Sequence, residues 1–524
     1  MITFSKFGNH GRLGNQLFQY AAMMGMATKY NKDLILPEWQ YAKYFKGKFP
    51  SGKSSVVFSK VAESKFHYEP SRYGYIIPHE GPCDLHGYFQ SEKYWSHCKT
   101  FVRDQLNFTD EFIFELKSNK WPIPKAENNK RVIAICIRRG DYVDNPSYEL
   151  LPISYYILAL QEQFPNWRDC NLIIFSDDHN YCKVHFGCLN NVYFAEGNTE
   201  IEDLGLISRC DDMILGNSSF HWWGAYIGEK KKTKVVRPAH YFRGQLKEEC
   251  DIKDFYPENW IEFDHKHPDG SNKKIDLGDV TFTIPVSFDH HDRKKNLDLC
   301  VCLLQKEFDT NIIVGEQGNQ TFDYMGQFCQ YYYFRGMGLF HRTKMLNHMA
   351  KMADTSIVAN WDADVSISPV QIFEAITKIR EGADMVFPYD GRFARMERHK
   401  WFKQMEKRLD IGIVGSTQFP GMYSDDAVSV GGAVIFKKDS FLKGGGENEN
   451  FISFGPEDVE RDVRFRKLAY IVARVRGALY HMDHWVGANS STKNPYIHKN
   501  RSELEKIVVM TSSQLDEYVK SWPW

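Results

Sequence analysis

The sequence has no run of about 18 apolar residues, the length that a membrane-spanning helix needs, so no transmembrane segment is expected. It has no excess of either charge: 66 Lys and Arg stand against 67 Asp and Glu, a net charge of −1. That leaves no basic field for nucleic acid or an anionic membrane surface, and no nucleic-acid partner is expected. It has no C-x-x-C pair, so neither a zinc ribbon nor a dithiol redox centre is indicated. The 11 cysteines run from Cys83 to Cys329, and buried free thiols in a reducing compartment are the plainer reading. The first seven residues have no long apolar core behind them and read as a strand rather than a signal peptide. A cytoplasmic protein, or one resting peripherally on the cytosolic face of a membrane, is the expectation. Aromatic residues are abundant at 15%, and flat rings suit both cores and the stacking of sugars or bases.

At 524 residues the chain is long enough for two to four domains at about 150 residues each. One composition break is clear: residues 265–274 are polar, contain Pro268 and Gly270, and lack apolar periodicity. The expected organisation is one domain at 1–264, a linker at 265–278 and a second domain at 279–524. In both halves β-like apolar runs alternate with helical patterns, which points to an α/β fold.

In the first half, strand-like residues 2–4 lead into Gly8-Asn9-His10-Gly11-Arg12-Leu13-Gly14-Asn15-Gln16, followed by a helical pattern. Strand, glycine loop and helix aim free backbone N–H groups at an anion, although an ordinary tight turn explains the loop equally. The apolar run 132–137 ends in Arg138-Arg139-Gly140-Asp141-Tyr142. Ligands of open α/β sheets sit at the carboxyl ends of strands. Two arginines there can hold a diphosphate through planar charged forks, with surface salt bridges as the alternative. A third strand at 171–175 ends in Ser176-Asp177-Asp178. A helical stretch at 203–210 leads to a strand at 213–215 and then to Asn217, Ser218 and Ser219, small polar groups suited to phosphate or sugar oxygens.

In the second half, strands are expected at 280–286 and 311–317 with a helix between them. The apolar run 357–361 ends in Asp362-Ala363-Asp364. Two carboxylates at i and i+2 after a buried strand form an oxygen site for Mn²⁺ or Mg²⁺, which can bridge the phosphates of a nucleotide sugar; a solvated turn is the commoner meaning of such a triplet. Glu457-Asp458 opens a helical run, where the helix dipole is expected to lower the pKa of the pair. One member near an acceptor hydroxyl is a candidate general base, and plain helix capping is the alternative. His481 or His484, after a strand expected at 471–480, can complete a metal shell. The basic stretch 392–408 fits an anionic lipid-linked acceptor or, more simply, a solvated helix face.

The strings GRLGNQLFQYA (11–21), HGYFQSEKYW (86–95), IRRGDYV (137–143), FSDD (175–178) and DLGLISRCDDMILGNSSFHWWGA (203–225) resemble the alpha-1,2-fucosyltransferases, glycosyltransferase family 11. The resemblance implies a two-lobed GT-B-type domain, a GDP-fucose donor, an inverting reaction and no metal. It gives Arg138 the β-phosphate, with Arg139 and Asp141 completing the motif, and puts Gly14, Asn15, Gln16, Asn217, Ser218 and Ser219 beside the donor. Without a metal the departing GDP needs fixed positive charge, which suits arginine. Two departures stand out. Cys136 occupies the place of the family's His, and His221 that of a Ser before the Trp pair; a satisfied core histidine is the preferred reading of His221. The base of this half is open, with Asp177 and Asp178 as candidates by position.

The segments GGAVIFKKDSFLKGGG (431–446), FGPEDVERD (454–462) and FHRTKMLN (340–347) are similar to beta-1,4-galactosyltransferases, and the half resembles GT-A glycosyltransferases of family 2. That similarity implies Asp362 and Asp364 at the diphosphate and metal, Asp458 as base, Glu457 on the acceptor, and His484 or alternatively His481 as a metal ligand. It puts Arg342, Lys344 and Pro285 along a UDP-sugar, with UDP-galactose as the suggested donor. The combined expectation is a bifunctional enzyme of polysaccharide biosynthesis. The second half adds a hexose to a glycan or lipid-linked oligosaccharide, and the first half then fucosylates it. The alternative is that only one half is catalytic and the other is a carbohydrate-binding or scaffold module.

Overall fold

The structure is a computed structural model. It describes residues 1–124, 129–319, 321, 329–336, 338–415, 417, 428–487, 491 and 493–522, except for the side chains of residues 398 and 399. Arg398, within the basic stretch, therefore lies outside the described side chains. The chain divides into two compact units, Met1–His179 with Asn191–Lys273, and Asn180–Asn190 with Lys274–Trp524. The architecture is mixed α/β with parallel sheets. Among the described residues no helix is long and apolar enough to cross a membrane.

The first unit holds two parallel sheets. The smaller has the strand order Leu34–Ile35, Ile2–Thr3, Cys83–His86, Ser59–Ala62. The larger runs Ile261–Phe263, Val235–Pro238, Asp212–Ile214, Val132–Ile137, Asn171–Ser176, Val192–Phe194. Val132–Ile137 is buried along its whole length, as its unbroken Val-Ile-Ala-Ile-Cys-Ile run requires of a central parallel strand. The Trp pair of the 203–225 block is core. Phe18 packs on Trp222 at 4.5 Å between ring centroids, and Trp95 stacks on Trp223 at 5.8 Å. Two glycines let the helix Leu13–Lys29 lie this close to its neighbours. A Cβ on Gly25 would come within 2.4 Å of Tyr94 O, and one on Gly14 within 2.6 Å of Phe220 N.

The second unit is built on a seven-stranded sheet. Gln330–Arg335, Phe308–Gly318, Ile275–Val286 and Ile357–Trp361 follow one another in parallel. Ala433–Lys437 then runs antiparallel between Ile357–Trp361 and Met385–Phe387, and Val472–Arg474 closes the edge. A small sheet of Val365–Ser366, Leu479–Met482 and Phe393–Met396 lies beside it in the same unit. The polar stretch at 265–278 is partly ordered: His265 is buried, Lys266 bridges Asn272, and the strand Ile275–Val286 already begins inside it. The strand expected over 471–480 is split in two, and the second piece carries His481. The cysteines are all free thiols.

Candidate active sites

A cleft of about 750 Å³ lies within the first unit. One wall comes from the loop and helix start at Gly11, Arg12, Gly14 and Asn15, with Tyr88 and Gln90; the other comes from the strand ends that carry Arg138, Asp177, Ser218 and Ser219. Two helix N-termini, those of Leu13–Lys29 and Ser219–Gly228, meet here, joined by Asn15 Oδ1, which accepts from Gln90 Nε2 at 2.7 Å and Ser219 Oγ at 2.9 Å. Two helix starts with their dipole ends make this a place suited to an anion before any side chain is counted.

Arg138 supplies the charge. It follows the buried strand Val132–Ile137 and its side chain is 16% exposed. Its guanidinium pairs with Asp141 and, at 2.6 Å, with Asp177 Oδ2, and lies 5.1 Å above the Tyr142 ring. Asp177 also accepts from Arg139 N at 2.8 Å. A Cβ on Gly140 would strike the Asp177 carboxylate, so the glycine of the Arg-Arg-Gly-Asp motif is there for that ion pair. Arg12 stands 3.8 Å from Asp141.

Not every motif residue reaches the cleft. Gly14, Asn15, Arg138, Asp141, Ser218 and Ser219 line it, whereas Gln16, Arg139 and Asn217 brace its walls. Gln16 donates to Gly8 O and Gly11 O and accepts from Trp39 Nε1. Asn217 donates to Glu149 O and Tyr241 O from a buried position. Arg139 points its buried side chain towards Asp178, 3.7 Å away, because successive side chains leaving an extended segment face opposite ways. Of the candidate bases, Asp177 lines the cleft and Asp178 does not.

The two departures resolve differently. Cys136 is fully buried inside its strand. His221 is buried, as the core-histidine reading expects, and it also lines the cleft. Burial, and then the charge of Arg138, push its pKa down to about 3, so it is neutral at ordinary pH. Gly216 makes room for it: a Cβ there would lie 3.3 Å from His221 Nδ1 and 2.8 Å from Cys136 O. Sequence reasoning also missed Tyr88, Tyr148, Phe66 and Phe242, aromatic residues that line the same cleft. The high aromatic content was its one signal.

In the second unit, Asp364 is brought to His481 and His484 because Val365 pairs with His481 across the small sheet and Met482 N donates to Asp364 O. Asp364 Oδ1 lies 3.6 Å from His481 Nε2, and Oδ2 lies 3.1 Å from His484 Nε2. One ligand atom from each of the three residues falls within 4.8 Å of the others, a set that fits a divalent cation accepting imidazole, such as Mn²⁺, better than Mg²⁺. His481 Nδ1 is buried without a hydrogen-bond partner among the described residues. Burial alone would raise Asp364, but His481, His484 and Arg293 hold it well below the ordinary carboxylate range.

Asp362 is not in that set. Its Oδ1 accepts from Arg342 Nε at 3.0 Å and Nη2 at 2.8 Å. Arg342 also reaches Asp458 at 3.3 Å and Glu457 at 3.7 Å, so it is the hub of an acidic cluster. Lys344 is exposed on the helix Arg342–Met352, and Pro285 is buried near the end of its strand. Asp458 and Glu457 open the helix Glu457–Lys467 with opposite pKa shifts, which corrects the expectation that the dipole lowers both. Burial and the neighbouring Asp458 charge push Glu457 up to about 8. Burial opposes ionisation of Asp458 too, but Arg342 and Arg461 prevail and lower its pKa. Arg461 and Glu447 escaped the sequence reading. Arg461 donates to Asp458 and to Glu447, both at 2.8 Å, and Asn360 Nδ2 donates to Glu447 at 2.7 Å.

The family model of Glycosyl transferase family 11 matches residues 5–264. An alpha-1,2-colitosyltransferase of Escherichia coli is 27% identical over 48% of this chain and 96% of its own length. A galactoside 2-alpha-L-fucosyltransferase of Caenorhabditis elegans is 24% identical over 50% of this chain and 78% of its own. Among solved structures, the catalytic domain of Drosophila beta1,4galactosyltransferase 7 in complex with xylobiose overlaps with a TM-score of 0.23 at 15% identity. That overlap covers 37% of this chain and 63%, under two thirds, of that one, too slight to carry an argument. The chain is a glycosyltransferase whose N-terminal half resembles the family 11 fucosyl- and colitosyltransferases.

Proposed function

We propose that the first unit is a GT-B-type transferase that moves fucose from GDP-fucose, in α1,2 linkage and with inversion, onto the terminal sugar of a glycan. The observation that carries this reading is Arg138, a guanidinium at the end of a buried parallel strand, facing a cleft lined by two helix N-termini within the family 11 match. In the displacement the acceptor oxygen forms a bond to C1 of the sugar as the bond from C1 to the diphosphate breaks, and the hydroxyl proton passes to a base. Charge grows on the leaving diphosphate. Arg138 and the helix-start N–H groups meet that charge, and preorganised donors of this kind are usually the largest catalytic contribution. Asp141 and Asp177 hold the guanidinium in place until the diphosphate arrives.

The second unit is, in this reading, a GT-A-type hexosyltransferase using a UDP-sugar, with galactose as the proposed sugar. Asp458, ionised and held by Arg342 and Arg461, orients the acceptor hydroxyl and accepts its proton. Glu457, the less exposed of the pair, faces the acceptor as a neutral acid that can donate. A divalent cation, Mn²⁺ by the chemistry of the ligand set, would be held by Asp364, His481 and His484 and would supply positive charge for the leaving diphosphate. Asp362 and Arg342 keep the adjoining wall rigid.

The test is transfer from GDP-fucose, a GDP-linked colitosyl donor and UDP-galactose to a panel of galactosides and N-acetylhexosaminides, with wild type and Arg138→Ala. The reading predicts fucosyl transfer that falls by roughly 10²–10³ in the variant, the cost of losing one such donor, while the UDP-sugar reaction continues. Folded protein that transfers nothing from GDP-fucose overturns the assignment of the first unit.

A further inference from the structure

The segment Gly87-Tyr88-Phe89-Gln90 follows the strand Cys83–His86 of the smaller sheet and takes no part in the chemistry described above, yet its backbone is tightly constrained. Phe89 has a φ of 52°, in the left-handed region that a bulky side chain seldom adopts. Its ring is fully buried and meets Tyr73 and Tyr94 edge-on, at 5.9 and 5.5 Å between centroids. The Glu63 carboxylate accepts from Tyr88 N at 2.7 Å and from Phe89 N at 3.1 Å. Gly87 makes that approach possible, since a Cβ there would lie 2.4 Å from Glu63 Cβ. At the end of the turn Gln90 Nε2 donates to Asn15 Oδ1 at 2.7 Å. A strained turn held from several sides points to function, because the strain persists only where its surroundings enforce it.

What the turn presents is the ring of Tyr88, which lines the cleft and is 40% exposed. His10 backs one face of that ring, with centroids 4.8 Å apart and planes 19° from parallel, and among the described residues no other ring packs on it. Tyr148 lines the same cleft and stacks at 4.3 Å on Tyr142, the ring over which the Arg138 guanidinium lies at 5.1 Å. Burial pushes the Tyr148 hydroxyl up; Tyr88 and Asp141 add to the effect and Arg138 opposes it, so these four groups share one neighbourhood. The argument rests on the nucleotide-sugar reading of the cleft. With the diphosphate on Arg138, the sugar carbon that receives the new bond lies beside it, and an acceptor in reach of that carbon lies against these rings. The face of an aromatic ring is negative and attracts the weakly positive hydrogens of C–H bonds. A pyranose such as β-galactose gathers its C–H bonds at C3, C4 and C5 on one face, and its equatorial O2 stands at the edge, clear of a ring beneath.

We infer that Tyr88, backed by His10 and fixed through its backbone by Glu63, is the platform on which the terminal sugar of the acceptor stacks in the first unit, leaving the reacting hydroxyl at the sugar's edge towards Arg138.

The experiment measures the KM for a β-galactoside acceptor, the KM for GDP-fucose and kcat in the full-length chain and in Tyr88→Leu, Tyr88→Phe and His10→Ala, with no UDP-sugar present so that only the first unit turns over. Tyr88→Leu is expected to raise the acceptor KM roughly three- to tenfold, the worth of one well-placed aromatic contact, while the KM for GDP-fucose stays within about twofold of wild type. Tyr88→Phe keeps the ring and is expected to keep the acceptor KM. His10→Ala removes the support behind the ring and is expected to raise the acceptor KM about threefold. An acceptor KM in Tyr88→Leu within about twofold of wild type, an equal rise in Tyr88→Phe, or an equal rise in both KM values overturns the inference and leaves the GDP-fucose reading intact. Where Tyr88→Leu does not fold, His10→Ala decides, and an unchanged acceptor KM there overturns the inference. No transfer from GDP-fucose by folded wild type overturns the donor reading and this inference with it.

Discussion

Replacing Gly14 with Ala should damage catalysis in the first unit out of proportion to its effect on stability. An ideal Cβ at Gly14 lies 2.6 Å from Phe220 N and 2.7 Å from Ser219 C, both backbone atoms, where ordinary contact begins at 3.4 Å. The start of one helix must therefore move from the start of the other by about 0.8 Å, because neither atom belongs to a side chain that could rotate away. Overpacking of this kind costs about 1–3 kcal/mol. For a unit of this size that lowers Tm by roughly 2–12 °C. The same displacement moves Ser218, Ser219 and His221 against Arg138, and a misplacement near 1 Å costs about 10²-fold in rate. Gly25→Ala is the matched control. It sits in the same helix and its Cβ would clash with Tyr94 O at 2.4 Å, but it faces the Trp95 packing and not the cleft. Thermal unfolding and the kcat for fucosyl transfer, measured on both variants, should show similar losses of Tm but a loss of kcat confined to Gly14→Ala. If the two variants lose kcat equally, or Gly14→Ala stays within about threefold of wild type, the argument that this contact sets the cleft geometry is wrong.

Two further outcomes follow from buried charge. Arg461→Met removes a cation that is 1% exposed and leaves Glu447, fully buried, with Asn360 as its remaining side-chain donor among the described residues. Breaking a buried pair in this way costs about 3–5 kcal/mol. Denaturant unfolding should show that loss, and the added change Glu447→Gln should restore part of the stability without restoring transfer from the UDP-sugar. Glu63 is raised to about 7, chiefly by burial, although Tyr88 N and Phe89 N donate to it. A folded pKa above the unfolded value means that its contribution to stability is complete below about 4.5 and is lost as pH rises through about 7. The Tm of Glu63→Gln relative to wild type should accordingly rise between pH 5 and pH 8, and a pH-independent difference would refute the assignment.

How much of this was legible in the sequence varied with distance along the chain. Arg138, Asp141, Gly14, Asn15, Ser218 and Ser219 could be read because each lies where a buried strand ends or a helix begins, a local pattern that fixes where a side chain can point. Gln16, Arg139 and Asn217 sit in the same strings, but adjacency in a motif does not say which side of the wall a residue faces; all three brace the backbone. His221 could not be told from a core histidine because its exposure to the cleft depends on Gly216, five residues away and across a turn. In the second unit Asp364, His481 and His484 were each named as candidates, but their meeting at one place rests on a pairing between Val365 and His481, more than a hundred positions apart, that no spacing encodes. Asp362 was read with Asp364 because both follow one strand, yet Arg342 claims it from a separate helix.

The most direct test of the central claim, two separate leaving-group sites with arginine in one and a cation-binding set in the other, is to follow both transfer reactions in a single preparation before and after adding EDTA. The account predicts that chelation stops hexosyl transfer from the UDP-sugar, that Mn²⁺ restores it, and that turnover of GDP-fucose is unchanged throughout. Equal loss of both activities on chelation, or of neither, would contradict it.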